Sequence, residues 1–228
     1  MNRVSILSMT LLFTAFLVSH TFAQGSVAIG MKGGLNLANI SGKDVKNTDF
    51  RIGFAVGGFL TFNLNEQLAF QPEVYYTSKG YQAEIKGSDS GTNYRYSYSG
   101  NSSFALNYLE IPVLGVFSVN QNMKLFAGPY LDIYVNGKAR SDYKEHSETF
   151  NTATNQWESE DYSGSDSEDI ESDEVKIPGF GLIFGAEILS GPMSIGARYS
   201  MGLSNIPDDN EYKFRHQVIQ FLVGFSIP

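Results

Sequence analysis

Apolar residues alternate with polar or small residues in eight segments of the 228-residue chain. In the second segment, for example, Phe50, Ile52 and Phe54 alternate with Arg51 and Gly53. A period of two is typical of strands whose two faces meet different surroundings. The eight segments are 27–37, 50–63, 68–79, 108–117, 125–135, 179–188, 194–201 and 218–227. The pattern therefore predicts an all-β protein with eight strands.

The connections between these segments alternate strictly between short and long. The short ones are 63–66, 120–122 and 190–192, and the long ones are 38–49, 81–104, 138–175 and 203–215. Short turns at one end and long polar loops at the other are typical of transmembrane barrels, whose short turns face the periplasm. In hydrocarbon every backbone N–H and C=O needs a partner, so the sheet must close. We therefore predict an eight-stranded antiparallel up-and-down transmembrane β-barrel with short periplasmic turns and long outer loops.

The N-terminus has the parts of a secretory signal peptide. A positive charge precedes the apolar run Val4–Val18, and the small residue Ala23 stands just before Gln24. The run is short for a membrane anchor, and no stop-transfer charges follow it. We expect residues 1–23 to be removed between Ala23 and Gln24. Residues 24–228 would then form a single barrel domain, exported to the outer membrane of a Gram-negative cell.

Half of the acidic residues lie in one predicted outer loop. Residues 142–174 contain 12 of the chain's 24 Asp and Glu residues, and Lys144 is the only Lys or Arg among them. The remaining chain has no concentrated basic face of the kind that nucleic-acid binding requires, so nucleic acid is not an expected partner. Clustered like charges with few apolar residues favour a disordered loop.

The same loop contains weak candidates for a calcium site, because Ca²⁺ prefers oxygen ligands. The candidate ligands are Asp166, Glu168, Asp169, Glu171 and Asp173. Their spacing is not that of an EF-hand loop. Disorder is therefore favoured over metal binding, and no cofactor is expected.

Charged residues also recur at inward-facing positions of the predicted strands. Counted from the short turns, Glu73, Glu110 and Arg198 come at similar depth in the lumen, so we predict that they meet. One guanidinium can pair with two carboxylates that would otherwise repel each other. Arg51 and Lys79 are expected nearer the outer rim. A structural role is favoured over a catalytic carboxylate pair, because buried charges require partners whatever the function.

An enzymatic function would need a nucleophile and a base. The histidines that remain after signal removal, His146 and His216, both fall in predicted outer loops, and His216 lies near Ser204, Asp208 and Asp209. The spacing matches no recognised catalytic motif, but it leaves open an outer-rim barrel enzyme that hydrolyses lipid or peptide. A small-solute channel is a second alternative, although eight strands leave a lumen that side chains fill. The favoured function is a barrel without catalysis that is structural or binds a partner through its outer loops.

Five motifs of the chain resemble a known family. They are Lys32–Asn36, Gln71–Tyr76, Tyr108–Leu114, Ala127–Leu131 and Ala197–Ile206. In this order they are similar to motifs of the small outer-membrane β-barrel family of Bacteroidota, whose members are labelled porin-family or PorT-like. The resemblance covers essentially the whole mature chain and implies the fold and the location, but no secretion role. At that location we expect contacts with outer-membrane lipid, with lipopolysaccharide and with the barrel insertion machinery.

Overall fold

The computed structural model describes residues 27–43, 45, 48–207 and 213–227. Its strands are β1 Val27–Gly42, β2 Thr48–Asp49, β3 Arg51–Asn63, β4 Leu68–Ser90, β5 Tyr94–Asn120, β6 Met123–Asn151, β7 Gln156–Ile170, β8 Gly179–Ser190, β9 Met193–Gly202 and β10 Phe214–Ile227. In this part of the chain no helix is long and apolar enough to cross a membrane. The predicted signal peptide, with its cleavage site between Ala23 and Gln24, lies outside the described residues.

Eight of these strands form a closed antiparallel ring in the order β1–β3–β4–β5–β6–β8–β9–β10. The ring closes where β10 pairs with β1, from Ile227 opposite Ile29 to Phe214 opposite Gly42. Closure leaves no open edge within the ring, as a hydrocarbon environment requires. The two-residue β2 pairs with β4, and β7 pairs with β6 beyond the ring. The predicted eight-stranded up-and-down barrel is confirmed.

The barrel has its apolar side chains outside and many polar ones inside. On β1, Ile29, Met31 and Leu35 are exposed, whereas Lys32 and Asn36, at positions of the opposite face, are buried. Successive residues of a strand point to opposite faces, so the alternation in the sequence separates the two environments directly. An apolar outer surface of this kind suits contact with lipid tails and not with water.

The predicted long loops 81–104 and 138–175 are largely strand, so that part of the prediction is wrong. β4 and β5 stay paired as far as Ser90 and Arg95, and β6 and β7 form a hairpin beyond the ring. These extensions are polar on both faces and therefore lack the apolar alternation that identified the other strands. Their backbone ladders nevertheless continue from strands that the barrel already holds in register.

The acidic segment 142–174, predicted to be a disordered loop, lies mostly in the β6–β7 hairpin. Its turn is built on Asn151, whose Oδ1 accepts hydrogen bonds from the N–H groups of Ala153 and Thr154 at 3.0 and 3.3 Å. Asn155 has a φ of 53°, in the left-handed region that Asn adopts more readily than most residues. Pairing with β6 orders the backbone, while the exposed carboxylates remain in water.

Beyond the ring, the ends of four strands form what we call the protruding sheet. It comprises residues 83–90, 94–102, 138–151 and 156–170, in the spatial order β4–β5–β6–β7. At a rise of about 3.3 Å per residue, β6 continues for about 45 Å beyond Gly137. Its inner face continues the lumen-facing surface of the barrel, and its outer face continues the lipid-facing surface. The remaining strands of the ring end at the rim, so the sheet rises on one side of the outer opening of the barrel.

Candidate functional site

Seven charged side chains of alternating sign form a continuous chain in the lumen, which we call the lumen network. In order of contact they are Glu187, Lys32, Glu73, Arg198, Glu110, Lys79 and Asp132. Each is at most 6% exposed. They belong to six of the eight ring strands, so the network ties together most of the barrel wall.

Arg198 is the centre of the lumen network. Its Nη1 donates to Glu73 Oε2 at 2.7 Å, and its Nη2 donates to Glu110 Oε1 at 3.0 Å. Its Nε donates to Gln220, and the guanidinium carbon lies 4.5 Å from the ring centroid of Tyr75. The structure thus brings together Glu73, Glu110 and Arg198, with one cation between two carboxylates.

Lys79 lies further toward the outer rim on β4 and is also part of the network. Its Nζ is 2.6 Å from Glu110 Oε2 and donates to both carboxylate oxygens of Asp132, at 2.9 and 2.7 Å. Arg51 differs, because it is half-buried at the rim and donates to Ser78 Oγ and to the carbonyl oxygen of Lys79. Among the described residues Arg51 forms no ion pair, so it borders the network without joining it.

Three members of the network were missed in the sequence, namely Lys32, Asp132 and Glu187. Lys32 Nζ lies 2.7 Å from Glu187 Oε2 and 3.6 Å from Glu73 Oε1. It also lies 4.6 Å from the ring centroid of Phe59, which helps to bury the ammonium group. All three residues stand at inward positions of the two-residue alternation, and that pattern could have found them.

The lumen is packed above and around the network. Its outer end is filled by a cluster of Ile40, Leu106, Tyr108, Tyr134, Val175 and Ile206. Two cavities border the network, one beside Lys32 and Glu187 and one beside Asp132 and His216, and each has a volume of about 10 Å³. Each could hold about one water molecule. A lumen filled in this way resembles a core more than an aqueous pore.

His216 was predicted in an outer loop, and this prediction is wrong. It lies on β10, is 5% exposed, and its Nε2 is 3.1 Å from the hydroxyl oxygen of Tyr108. The strand begins before this residue, so the alternation of β10 turns its ring into the lumen. Asp208 and Asp209 lie outside the described residues, and Ser204 hydrogen-bonds to the backbone of β8. His216 is therefore not the exposed rim histidine that a hydrolase at this site would require.

The two faces of the protruding sheet differ in charge. Residues paired across antiparallel strands lie on the same face, so the strand registers assign each charged side chain. The inner face has no Lys or Arg and six carboxylates, those of Asp89, Glu145, Glu158, Glu160, Asp166 and Glu168. The outer face has five basic residues, Lys86, Arg95, Lys138, Arg140 and Lys144, and five acidic ones, Glu84, Asp142, Glu148, Asp161 and Asp169. The net negative charge of the sheet therefore lies on the inner face.

Five tyrosines lie among the carboxylates of the inner face, and they are Tyr94, Tyr96, Tyr98, Tyr143 and Tyr162. The Tyr98 ring covers Gly87, and the Tyr143 ring covers Gly164, because a Cβ added at either glycine would collide with the ring. The Tyr94 hydroxyl donates to Asp89 Oδ2 at 3.0 Å, which raises the pKa of Tyr94. The inner face is thus a surface of rings and carboxylates.

A groove of about 710 Å³ crosses the outer face. Lys86 and Lys144 border it, and Ser99, which pairs with both of them, lies between. His146 also lines the groove, and its Nδ1 is 2.7 Å from Asp161 Oδ1. This hydrogen bond raises the pKa of His146 above its ordinary value. The outer face thus mixes both signs of charge at short range.

The candidate calcium ligands are Asp166, Glu168 and Asp169 on β7, followed by Glu171 and Asp173. Asp166 and Glu168 lie on the inner face of the strand, whereas Asp169 lies on the outer face, where its Oδ1 is 3.4 Å from Lys138 Nζ. Across the described part of the chain, no group of three or more His, Cys, Asp or Glu side chains could hold a metal ion. The geometry therefore provides no ligand set around one point.

The closed ring, the apolar outer surface and the polar lumen define an integral outer-membrane β-barrel protein. A family comparison agrees, since residues 22–208 match the family described as outer membrane protein beta-barrel domain. The match covers most of the chain, and the chain belongs to this family. A search of curated proteins found no match.

The solved structures that resemble this fold share little sequence identity with the chain. The attachment invasion locus protein Ail of Yersinia pestis is 12% identical, covering 88% of this chain and 98% of its own, with a TM-score of 0.42. Neisserial surface protein A is 12% identical, covering 89% of this chain and 98% of its own, with a TM-score of 0.37. CarO of Acinetobacter baumannii is 13% identical, covering 85% of this chain and 96% of its own, with a TM-score of 0.32. Likeness at this level says nothing about what the chain does.

Proposed function

We propose that this outer-membrane barrel is a surface-binding protein whose protruding sheet contacts a partner outside the cell. The observation that carries the proposal is the length of the hairpin β6–β7, which pairs from Gly137 opposite Ile170 to Asn151 opposite Gln156. A barrel with a purely structural role in the membrane would not need a hairpin whose strand β6 continues about 45 Å beyond the ring. Rigid strands, unlike mobile loops, can hold contact residues in fixed positions without an ordering cost on binding.

The composition of the protruding sheet supports a binding role. Tyr98, Tyr143 and Tyr162 are 42%, 37% and 62% exposed. Tyrosine is enriched at protein interfaces, because it gives a large amphipathic contact area with few rotatable bonds. In this proposal the lumen network has a supporting role, since it fixes the strands from which the sheet rises.

The proposal includes the route by which the protein reaches the surface. Residues 1–23 would act as a signal peptide cut before Gln24, which N-terminal sequencing of the mature protein would test. The barrel insertion machinery would then assemble it among outer-membrane lipid and lipopolysaccharide. The motifs Lys32–Asn36 and Ala197–Ile206 support a place in the PorT-like branch of Bacteroidota proteins. No catalytic step is part of the proposal, because His216 is buried against Tyr108.

The experiment compares the full chain with a variant that lacks the outer part of the sheet. The strand registers indicate where to cut, since Ala83 pairs with Ser102 and Asp142 pairs with Ser165. Joining each pair through a two-residue Asn-Gly turn should leave a barrel with short hairpins. Both proteins, reconstituted in lipid nanodiscs, are tested against one panel of defined peptides, glycans and extracellular matrix proteins.

We expect at least one panel member to bind the full chain and to lose binding to the shortened variant. The variant must first retain the thermal unfolding midpoint of the full chain, since the lumen network is untouched. Equal binding by the two proteins across the whole panel would overturn the proposal.

A further inference from the structure

On its β7 side, the protruding sheet ends in a free strand edge. Within the described part of the chain β7 pairs with β6 alone, so its second edge has no strand beside it. Half of the peptide groups of such an edge strand point away from the sheet. A long free edge is a ready template for pairing with another extended chain. β7 runs from Gln156 to Ile170, longer than most strands in globular proteins.

The side chains of β7 follow a regular pattern along this edge. Between Gln156 and Ile170 at its two ends, the inner-face positions carry, in order, Glu158, Glu160, Tyr162, Gly164, Asp166 and Glu168. The outer-face positions between them are mainly serine. The carboxylates of this face form two pairs, Glu158 with Glu160 and Asp166 with Glu168, and the two members of each pair are about 6.6 Å apart along the strand. An added strand presents its own side chains to that face at the same period.

The charge of β7 decides between a second copy of this chain and a different partner. The strand has six acidic residues and no basic one. Two copies paired edge to edge would bring like charges opposite each other, which destabilises a cross-strand pair. Charge complementarity therefore favours a cationic partner over a second copy.

We propose that the free edge of β7 binds an extended polypeptide with Lys or Arg at alternate positions, by strand addition. This deepens the proposed function and rests on it. The backbone of the peptide pairs with β7, and its basic side chains lie over the inner face. There they meet two pairs of carboxylates, Glu158 with Glu160 and Asp166 with Glu168, which are separated by Tyr162 and Gly164.

The tyrosines of the inner face contribute to the same specificity. Tyr162 on the edge strand and Tyr143 on the neighbouring β6 have ring centroids 5.9 Å apart. An ammonium or guanidinium group above such rings gains a cation–π interaction in addition to its ion pairs. Neutral strands would pair with the same backbone but would leave the carboxylates without partners.

The test uses the full chain in nanodiscs and a fluorescent peptide in which Lys and Thr alternate. The inner-face variant combines Glu158→Gln, Glu160→Gln, Asp166→Asn and Glu168→Gln. The matched outer-face variant combines Asp142→Asn, Glu148→Gln, Asp161→Asn and Asp169→Asn, so both lose four negative charges. Because exposed ion pairs are individually weak, we expect the inner-face variant to bind about 10- to 30-fold more weakly. The outer-face variant should change affinity less than about threefold.

A second measurement tests the strand pairing itself. Two further peptides carry N-methyl groups on the odd or on the even residues, which removes one alternate set of N–H donors. Only one set faces β7, so one peptide should lose binding and the other should keep it. Equal binding by both methylated peptides would overturn strand addition. Equal losses of affinity in the two charge variants would overturn recognition by the inner face, because net charge alone would then explain the binding.

The outcomes separate this inference from the proposed function. If a glycan or an anionic ligand binds in a sheet-dependent way and the Lys-Thr peptide does not, the proposed function stands and this inference fails. If the shortened variant binds every ligand as the full chain does, both fail. A peptide with the same composition but with its lysines in adjacent pairs should bind more weakly, because it divides its charge between two faces.

Discussion

Pairs of Arg with Asp or Glu occur in two regions of this protein, buried in the lumen and exposed on the protruding sheet. In the lumen, Arg198 pairs with Glu73 and Glu110, and these side chains are at most 1% exposed. On the protruding sheet, Arg140 pairs with Asp142 at 3.4 Å, and these side chains are 66% and 53% exposed. Water solvates the charges of the sheet whether or not they pair, whereas the buried charges of the lumen depend on one another and on a few neighbouring groups such as Gln220 and Tyr75.

The difference teaches which charges the fold depends on. Removing one partner of a buried pair leaves a charge without solvation, and this costs far more than the loss of an exposed pair. The lumen network should therefore control the stability of the barrel, while charge substitutions on the sheet should hardly change the free energy of unfolding. A surface that tolerates substitution without loss of stability is suited to recognition, and the two regions should differ in how much stability a lost charge costs.

The largest effect is expected for Arg198→Met. The substitution keeps much of the side-chain volume but leaves Glu73 and Glu110 with one cationic partner each, Lys32 and Lys79. Breaking a buried ion pair costs about 3–5 kcal/mol, so the thermal unfolding midpoint in detergent should fall sharply. The measurement is heat-induced loss of β-sheet circular dichroism for the purified barrel.

The matched control is Arg140→Met on the outer face of the sheet. Its pair with Asp142 is exposed, so we expect a change in unfolding free energy of less than about 0.5 kcal/mol. A comparable loss of stability in both variants would contradict the distinction between the two regions.

A smaller effect is expected for Lys32→Met at the end of the network. Glu73 keeps its contact with Arg198, but among the described residues Glu187 loses its only ion-pair partner. The unpaired carboxylate should cost about 2 kcal/mol. Adding Glu187→Gln removes the buried charge and should restore part of the lost stability in the same melting experiment. If the double variant is less stable than Lys32→Met alone, Glu187 is not held by Lys32.

Tyr143→Ser should weaken the protruding sheet without affecting the barrel. The ring packs near Tyr162 and covers Gly164, and a cross-strand contact of this kind contributes about 0.5 kcal/mol. Hydrogen exchange of β6 and β7 amides beyond Gly137 should become faster, whereas exchange within the ring stays the same. An unfolding midpoint as low as that of Arg198→Met would mean that sheet and barrel unfold as one unit.

Much of the ring could be predicted from sequence because lipid and lumen impose opposite polarity on alternate residues. Residues such as Ile52 and Phe54 next to Arg51 and Gly53 reveal a strand without any tertiary information. The protruding sheet lies in water on both faces, so Ser163, Gly164 and their neighbours have no such alternation. Their strand structure depends on pairing with β6, which a local pattern cannot reveal.

The lumen network could be predicted only in part for a related reason. Counting from the turns gave the depth of Glu73, Glu110 and Arg198, which the structure joins through one guanidinium. The contact between Lys79 and Asp132 depends on how far adjacent strands are staggered around the barrel, a quantity that the sequence does not state. His216 falls in a predicted loop because the apolar alternation of β10 becomes clear only after this residue.

The smallest expected effect is the pH response of His146 on the exposed hairpin. The hydrogen bond to Asp161 at 2.7 Å raises the pKa of His146 above its ordinary value of 6.5. Because the folded pKa is the higher one, the interaction stabilises the hairpin fully below the unfolded pKa and is lost as pH rises through the folded pKa. An NMR titration of the imidazole should therefore have its midpoint above 6.5, and Asp161→Asn should lower that midpoint while leaving barrel melting unchanged at every pH. A midpoint that Asp161→Asn does not move would transfer the role to Glu148, whose Oε1 lies 3.8 Å from the other ring nitrogen.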